Sequence, residues 1–381
     1  MKQRLAIIDH VGSKAGMDYY CGQLSTHIGA NGAECLLISN FDLAADNVSV
    51  CKYFDKHSPS KLRKVWNQFT GFFRAALKCK TAGYKEAQLH IFSYEVKDVY
   101  AFMIMRLFGI RITAVVHDVE SFSKSSQRYS KLMLHKLSDK LVVHNKFSYQ
   151  QLLSLHGANL ADKTAIIPHG NFHYLPDASI TRDEARRKLG LDTERFYLLF
   201  FGQIKSVKGL DILLEAMKQV PHEIHLVIAG KTWQHDFEPY QQTIDASLNG
   251  QVKTIIRFIS DDERELLYKA CNVMVLPYRR IFQSGVLLMA MSYQIPVIAS
   301  NLPPNAELIQ DGQNGYLFET EHVASLASKI IEAANNREQI EVLANDAWKQ
   351  TAVTHNWDFV AKALLAFIFE DKHTQTPVHA A

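Results

Sequence analysis

The sequence predicts an α/β protein made of two Rossmann-like, doubly wound domains facing a cleft. Three observations predict it. Short apolar runs alternate with amphipathic stretches along the whole chain, two such series occur on either side of a break at 174–180, and 381 residues suffice for two cores. Apolar runs that lack polar alternation, each separated from the next by a helical pattern, fit parallel strands covered by helices on both faces.

In chain order, the first series places strands at 5–8, 34–38, 89–93, 112–116, 141–143 and 165–167. The second begins near Phe196, with strands at 197–201, 224–228, 254–259, 273–276 and 296–299. Thr181 with Glu184, and Ser260 with Glu263, have the spacing of capping boxes and mark helix starts. Leu175-Pro176-Asp177 interrupts the periodicity, so the domains are assigned to 1–175 and 176–356. Beyond Leu317 and Phe318 the pattern is helical to about Asp371, and the last helix, 357–371, is strongly apolar. Ligands of such sheets bind outside the carboxyl ends of the strands, which places the expected site where two such domains face each other.

A formal charge of +3 is close to neutral and gives no basis for nucleic-acid binding. Cys21, Cys35, Cys51, Cys79 and Cys271 are scattered, without a Cys-x-x-Cys pair, so neither a zinc site nor a disulfide framework is indicated. No apolar stretch is long enough to span a bilayer, and a cytoplasmic location, at or near the inner face of the plasma membrane, is expected. Between Lys61 and Lys85 the chain carries Arg63, Lys64, Arg74, Lys78 and Lys80 and no acid, interleaved with Trp66, Phe69, Phe72, Phe73 and Leu77. Such a helix suits an anionic membrane surface, and a solvated face above a packed apolar side accounts for it equally well. A second basic run, from Lys124 to Lys146, includes Arg128, Lys131, Lys136 and Lys140 against the single acid Asp139.

Two loops carry phosphate chemistry. Phe201-Gly202-Gln203-Ile204-Lys205-Ser206-Val207-Lys208-Gly209 follows a strand and opens a helix. Gly202 lets the backbone approach a ligand, and Lys205 and Lys208 supply point charges for a diphosphate. Pro277-Tyr278-Arg279-Arg280-Ile281-Phe282-Gln283-Ser284-Gly285-Val286 also runs from a strand into a helix. Ser284 is placed to cap that helix, leaving the amides of Gly285 and Val286 for an anion, with Arg279 or Arg280 as a further anchor. An ordinary strand-turn-helix with surface cations is the competing reading of both loops. No Gly-x-Gly-x-x-Gly follows the first strand, since Val11-Gly12-Ser13-Lys14 has another spacing, so a dehydrogenase is poorly supported.

These loops, with Ala229-Gly230, Pro296-Val297-Ile298-Ala299-Ser300, Ala306-Glu307-Leu308-Ile309 and Asp311-Gly312-Gln313-Asn314-Gly315-Tyr316-Leu317-Phe318, resemble the C-terminal half of glycosyltransferase family 4. The resemblance extends more loosely to the loop at Gly16, to Val116-His117-Asp118 and to Ile167-Pro168-His169-Gly170. It implies the GT-B fold, with a nucleotide sugar on the C-terminal domain, an acceptor on the N-terminal one, and the last helix crossing back onto the first domain. It further implies that Lys208 is the family lysine, that Glu307 lies near the nucleotide, and that His117 lies near the donor sugar. Where retaining members carry two glutamates this chain has Ile281 and Met289, neither able to accept a hydrogen bond from a sugar hydroxyl. Gln203 stands where the family usually has an arginine.

The sequence is therefore read as a divergent Ser-Gly branch. It is expected to move a sugar from a UDP- or GDP-linked donor to a glycan or polyprenyl-diphosphate-linked acceptor in cell-surface polysaccharide synthesis, with inversion as one outcome. A catalytically degenerate scaffold that only binds nucleotide or glycan is the alternative, and a non-hydrolysing epimerase is less well supported. An inverting transfer needs a base, and Asp118 leads Glu120 for that role, beside His117, at the carboxyl end of a strand. His10, Gly16 and Asp18 follow the first strand on the acceptor side, with Asp18 as a second base candidate. Lacking an Asp-x-Asp pair or a His/Cys cluster, the chain is expected to need no metal or other cofactor, with helix amides and lysines neutralising the leaving diphosphate.

Overall fold

Seven parallel strands form the first sheet of the computed structural model, which describes residues 2–13, 16–54, 60–120, 126–233 and 236–370. They are β1 (Arg4–Ile8), β2 (Glu34–Ser39), β3 (Val48–Lys52), β4 (Glu86–Ile91), β5 (Arg111–Val116), β6 (Lys140–Val143) and β7 (Thr164–Ile166), in the spatial order β3-β2-β1-β4-β5-β6-β7. The order reverses between β1 and β4, the place where doubly wound sheets open a crevice at their carboxyl ends. β3 was not expected from the sequence. It is an edge strand, half-exposed throughout, so its apolar content is too low to stand out.

The chain forms two compact units, Met1–Gly170 with Thr354–Ala381, and Asn171–Val353. The apolar helix near the C-terminus, Trp357–Phe369, belongs to the first. It buries Trp357, Val360, Ala361, Leu364, Leu365 and Ile368 in one core with Leu24 and Ile28 of the helix Met17–Ala30. Each large side chain so buried contributes about 1.5–3 kcal/mol. Asn356 caps its start by accepting from the Asp358 amide at 2.8 Å. Its end is capped by Lys140, whose ammonium donates to the carbonyls of Phe367 and Ile368. That contact withdraws Lys140 from the basic run expected to face a membrane, while Lys124 and the tail beyond Glu370 lie outside the described residues. At Gly170 an added Cβ would come within 2.1 Å of the Trp357 indole, so only glycine fits beneath that ring.

The second sheet is likewise parallel. Its strands are β8 (Phe196–Phe201), β9 (Ile224–Ala229), β10 (Val252–Ile255), β11 (Val273–Leu276), β12 (Val297–Ser300) and β13 (Tyr316–Phe318), in the order β10-β9-β8-β11-β12-β13. Here the reversal falls between β8 and β11. β10 starts and ends earlier than expected: the Arg257 amide turns back onto the Ile255 carbonyl at 3.2 Å, and Phe258 is exposed. Ser260 and Glu263 form a complete capping box. Thr181 accepts from the Glu184 amide, but Glu184 pairs with Lys188, so that box is only half made.

Candidate functional site

In the second unit the two glycine-containing loops meet at the β8/β11 reversal. Gly202 leaves β8 at φ 107°, and a Cβ there would lie 3.7 Å from Val286 Cγ2, in the first turn of the helix Gly285–Ser292. Gly230, after β9, is pressed against Gly202 so closely that a Cβ would sit 1.8 Å from the Gly202 carbonyl oxygen. Gly209 adopts φ 66° at the start of the helix Leu210–Met217, and a Cβ would lie 1.8 Å from the Pro277 carbonyl oxygen. The Arg279 amide then bonds the Val207 carbonyl at 2.9 Å. Gly209 thus lets the first loop lie directly on the backbone at Pro277, and Gly230 lets the end of β9 lie on Gly202; a side chain at either position would prevent the approach.

Ser284 caps the second helix, accepting from the Leu287 amide at 3.2 Å, and leaves the amides at Gly285 and Val286 at its mouth. Lys208 Nζ stands 3.6 Å from the centre of the Tyr278 ring, and Lys205 Nζ stands 5.0 Å from that of Trp233. Both ammonium groups are half-buried beside the loop. Ser300, fully buried, donates to the carbonyls of Leu276 and Tyr278, so the end of β12 braces the β11 loop. Glu307 follows the short helix Pro303–Ala306 and is exposed.

Arg279 has a different part from the one expected of it. Its guanidinium takes Asp211 bidentately at 2.8 and 2.5 Å, Glu321 at 2.8 Å and the Ser206 carbonyl at 2.8 Å. The fork is filled by these partners, and the Asp211 and Glu321 carboxylates hold its pKa above the usual arginine value. Arg279 is a staple between the two loops, so a diphosphate would have to compete with two carboxylates for it.

In the first unit the carboxyl ends of adjacent strands carry imidazoles. His90 lies within β4, His117 directly follows β5, His144 follows β6, and His169 lies beyond β7. All four rings surround Tyr20, on the helix after β1, with centroids 4.9–5.6 Å from its ring. Phe92 stacks flat on His117 at 4.4 Å, so that ring is gripped on its face and at its edge. His90 Nδ1 and His117 Nε2 are 3.0 Å apart. Burial pushes His90 and His169 down to about 3 and His144 to about 4, and holds His117 well below the ordinary histidine value. The cluster is therefore neutral at physiological pH.

The acceptor-side candidates sit near it. His10 packs against Phe72 and Phe54 at 5.5 and 6.3 Å, and burial followed by the Lys97 charge lowers it to about 4. Gly16 takes φ 76° at the start of the helix Met17–Ala30, and Asp18 lies in its first turn. Asp118 follows His117 and is half-buried, while Glu120 is exposed. Asp9, overlooked in the sequence, is buried at the end of β1. It accepts from the Val11 and Gly12 amides at 2.9 Å and from the Ser39 hydroxyl at 3.2 Å.

Residues 181–350 match the model of the family described as glycosyl transferases group 1. The spore coat protein SA of Bacillus subtilis is 25% identical over 68% of this chain and 72% of its own length. The GDP-mannose:glycolipid 4-beta-D-mannosyltransferase of Xanthomonas campestris is 29% identical over 35% of this chain and 39% of its own. Among solved structures, Anabaena HepE in complex with UDP and glucose superposes with a TM-score of 0.75 at 18% identity, over 96% of this chain and 99% of that one. The stretch 181–350 carries the group 1 domain, the chain is a glycosyltransferase, and its fold is of the GT-B type.

In this glycosyltransferase the positions of the missing glutamates are apolar in fact as well as in sequence: Met289 is buried and Ile281 half-buried. Of the first unit's cluster the sequence reading singled out His117 and His169 but passed over His90, His144 and Tyr20. A signal was present, since His117, His144 and His169 stand just beyond apolar runs and His90 lies inside one. An open hollow lined by Glu194, Arg195, Phe196 and His222 lies at the amino ends of β8 and β9, the edge opposite the glycine loops. Among the described residues no helix is long and apolar enough to cross a membrane, and no group of three or more metal-ligating side chains is assembled.

Proposed function

We propose that this glycosyltransferase binds a UDP- or GDP-linked sugar at the carboxyl ends of β8 and β11 and passes the sugar to a glycan or polyprenyl-diphosphate-linked acceptor in cell-surface polysaccharide synthesis. One observation carries the reading. The Gly202 turn and the Ser284-capped helix lie side by side, so that a Cβ added at Gly202 would meet Val286 Cγ2 at 3.7 Å, beside the Lys205 and Lys208 ammonium groups. Free amides at a helix mouth, close backbone approach and two lysines are what a diphosphate requires. In transfer with inversion, Asp118 takes the proton of the attacking hydroxyl. Helix amides and lysines stabilise the departing diphosphate, so no metal is needed.

The acceptor class rests on the helix Lys61–Thr81. Leu62, Val65, Trp66, Phe73 and Leu77 are exposed on it, among Arg63, Lys64, Arg74 and Lys80. Apolar and basic groups shared in this way favour an anionic bilayer, where a lipid-linked acceptor would be found. The side chain of Lys61 lies outside the described residues.

A thermal-shift screen of UDP-, GDP- and dTDP-sugars tests the donor site. One of the first two is expected to stabilise the protein, and Lys208→Ala to reduce that affinity about tenfold or more, as for a lost charge-assisted bond. An undiminished shift in the variant would move the diphosphate elsewhere.

A further inference from the structure

Lys208 lies opposite an aromatic ring that the second loop supplies. The two loops pass each other residue by residue. The Arg279 amide bonds the Val207 carbonyl at 2.9 Å, and Gly209 lies against the Pro277 carbonyl, where a Cβ would come within 1.8 Å of the oxygen. Between these contacts Lys208 and Tyr278 face each other, with Lys208 Nζ 3.6 Å from the centre of the Tyr278 ring. That distance is typical of an ammonium resting on an aromatic face.

The ring is held firmly. Tyr278 is 1% exposed, the Ser300 hydroxyl donates to its carbonyl at 2.6 Å, and the Arg279 guanidinium ties the next residue to Ser206 and Asp211. The Tyr278 hydroxyl is buried with no hydrogen-bond partner among the described residues, so the ring acts through its face. Lys205, in the same loop, has a looser counterpart. Its Nζ is 5.0 Å from the ring of Trp233, which is 47% exposed. A lysine resting on a fixed ring has lost much of its rotamer freedom before a ligand arrives. The ring covers one side of the ammonium, which carries three donors.

We propose that Tyr278 is a positioning residue for the donor: its face holds the Lys208 ammonium in place, so that binding a nucleoside diphosphate does not have to order that lysine. This rests on the reading of Lys208 as a phosphate ligand and extends it to a residue that acts only through the lysine. The attraction is electrostatic, between the ammonium and the negative face of the ring, so it follows the ring's electrons rather than its shape.

Fluorinated phenylalanines in place of Tyr278, in the full chain, vary that charge at nearly constant shape. UDP and GDP are the probes, and Kd is read by calorimetry. Tyr278→Phe keeps the ring and is expected to keep the Kd. Successive fluorines should weaken binding stepwise, by about fivefold for a trifluorinated ring, and Tyr278→Leu by at least as much. In a Lys208→Ala background the same changes should leave the Kd unaltered, because the group they act through is gone. A merely structural ring would lower affinity in both backgrounds. A flat or rising series in the wild type, or an equal loss in the Lys208→Ala background, would overturn the proposal. Should Tyr278→Leu fail to fold, the fluorinated series still decides, since it preserves the packing. Without nucleotide, the ring should shift the Lys208 ε-methylene protons upfield in the NMR spectrum, and ordinary positions for them would also overturn it. If Lys208→Ala lowers affinity while the fluorinated series stays flat, the donor site stands and the part given to Tyr278 falls. If Lys208→Ala itself leaves the Kd unchanged, the donor-site reading fails and takes this one with it.

Discussion

The two sheets of this glycosyltransferase share one topology and differ in what they put at their carboxyl ends. The second sheet uses backbone: Gly209 and Gly230 admit close approaches to Pro277 and Gly202, and a helix mouth and two lysines supply the positive charge. The first uses side chains: His90, His117, His144 and His169 packed around Tyr20, with Asp9 and Cys21 behind them. A backbone site suits a phosphate, which every such donor carries whatever its sugar. A site of buried, neutral, hydrogen-bonded rings suits discrimination among hydroxyl groups. On the proposed reading, recognition of the constant and the variable parts of the reaction is separated by material as well as by place.

The largest expected effect tests whether the first sheet does chemistry. Asp118→Asn should lower turnover about 10²–10⁴-fold, the usual worth of a general base, while nucleotide affinity by calorimetry stays unchanged. Retained turnover would leave the first sheet a binding surface only.

Next in size is acid sensitivity. The imidazoles stay neutral in the folded state at pH values where the unfolded chain protonates near pH 6.5, so their contribution is complete above that value and lost as pH falls toward 3–4. At pH 5 the loss is about 2 kcal/mol for each of His90, His144 and His169. Asp9, raised to about 6 by burial, works in the opposite sense, because its protonation relieves a buried charge, and offsets about 1 kcal/mol. Denaturant melts between pH 7 and 5 should show the first unit losing stability before the second. Equal losses would show that the rings are not held neutral.

A smaller effect is expected in the second sheet, where Gly209→Ala should destabilise by about 2–3 kcal/mol and weaken nucleotide binding, since the new methyl meets the Pro277 carbonyl. A wild-type melting curve would mean that the loops part without cost. The smallest is no effect at all: turnover in a chelator should equal turnover without it, and strict rescue by magnesium or manganese would give the diphosphate a different partner.

The difference between the sheets also governs what the sequence could reveal. Glycines that permit close approach leave a local pattern, and Gly202, Lys208, Ser284 and Gly285 could be picked out as runs of neighbours. Arg279 illustrates the complementary case: its partners Asp211 and Glu321 are distant in sequence, so nothing nearby marked it as already engaged. The histidine cluster draws on β4 and on the segments after β5, β6 and β7, and only the order of the strands brings the four rings together. β3 escaped notice because an edge strand needs little apolar content, and 254–259 was placed too late because Phe258, apolar but exposed, imitates a core residue. Asp9 only ends the first apolar run in the sequence, while the structure buries it as the acceptor of two amides and a hydroxyl.

The helix Trp357–Phe369, which seats its tryptophan over Gly170, is translated after the whole second unit, yet its apolar face completes the core of the first. During synthesis the nascent amino-terminal sheet must therefore wait, with a greasy groove uncovered, until the helix Trp357–Phe369 has left the ribosome. That interval is when a chaperone would be most needed. A chain cut short before Trp357 should aggregate through this groove even though every strand of both sheets has already been made.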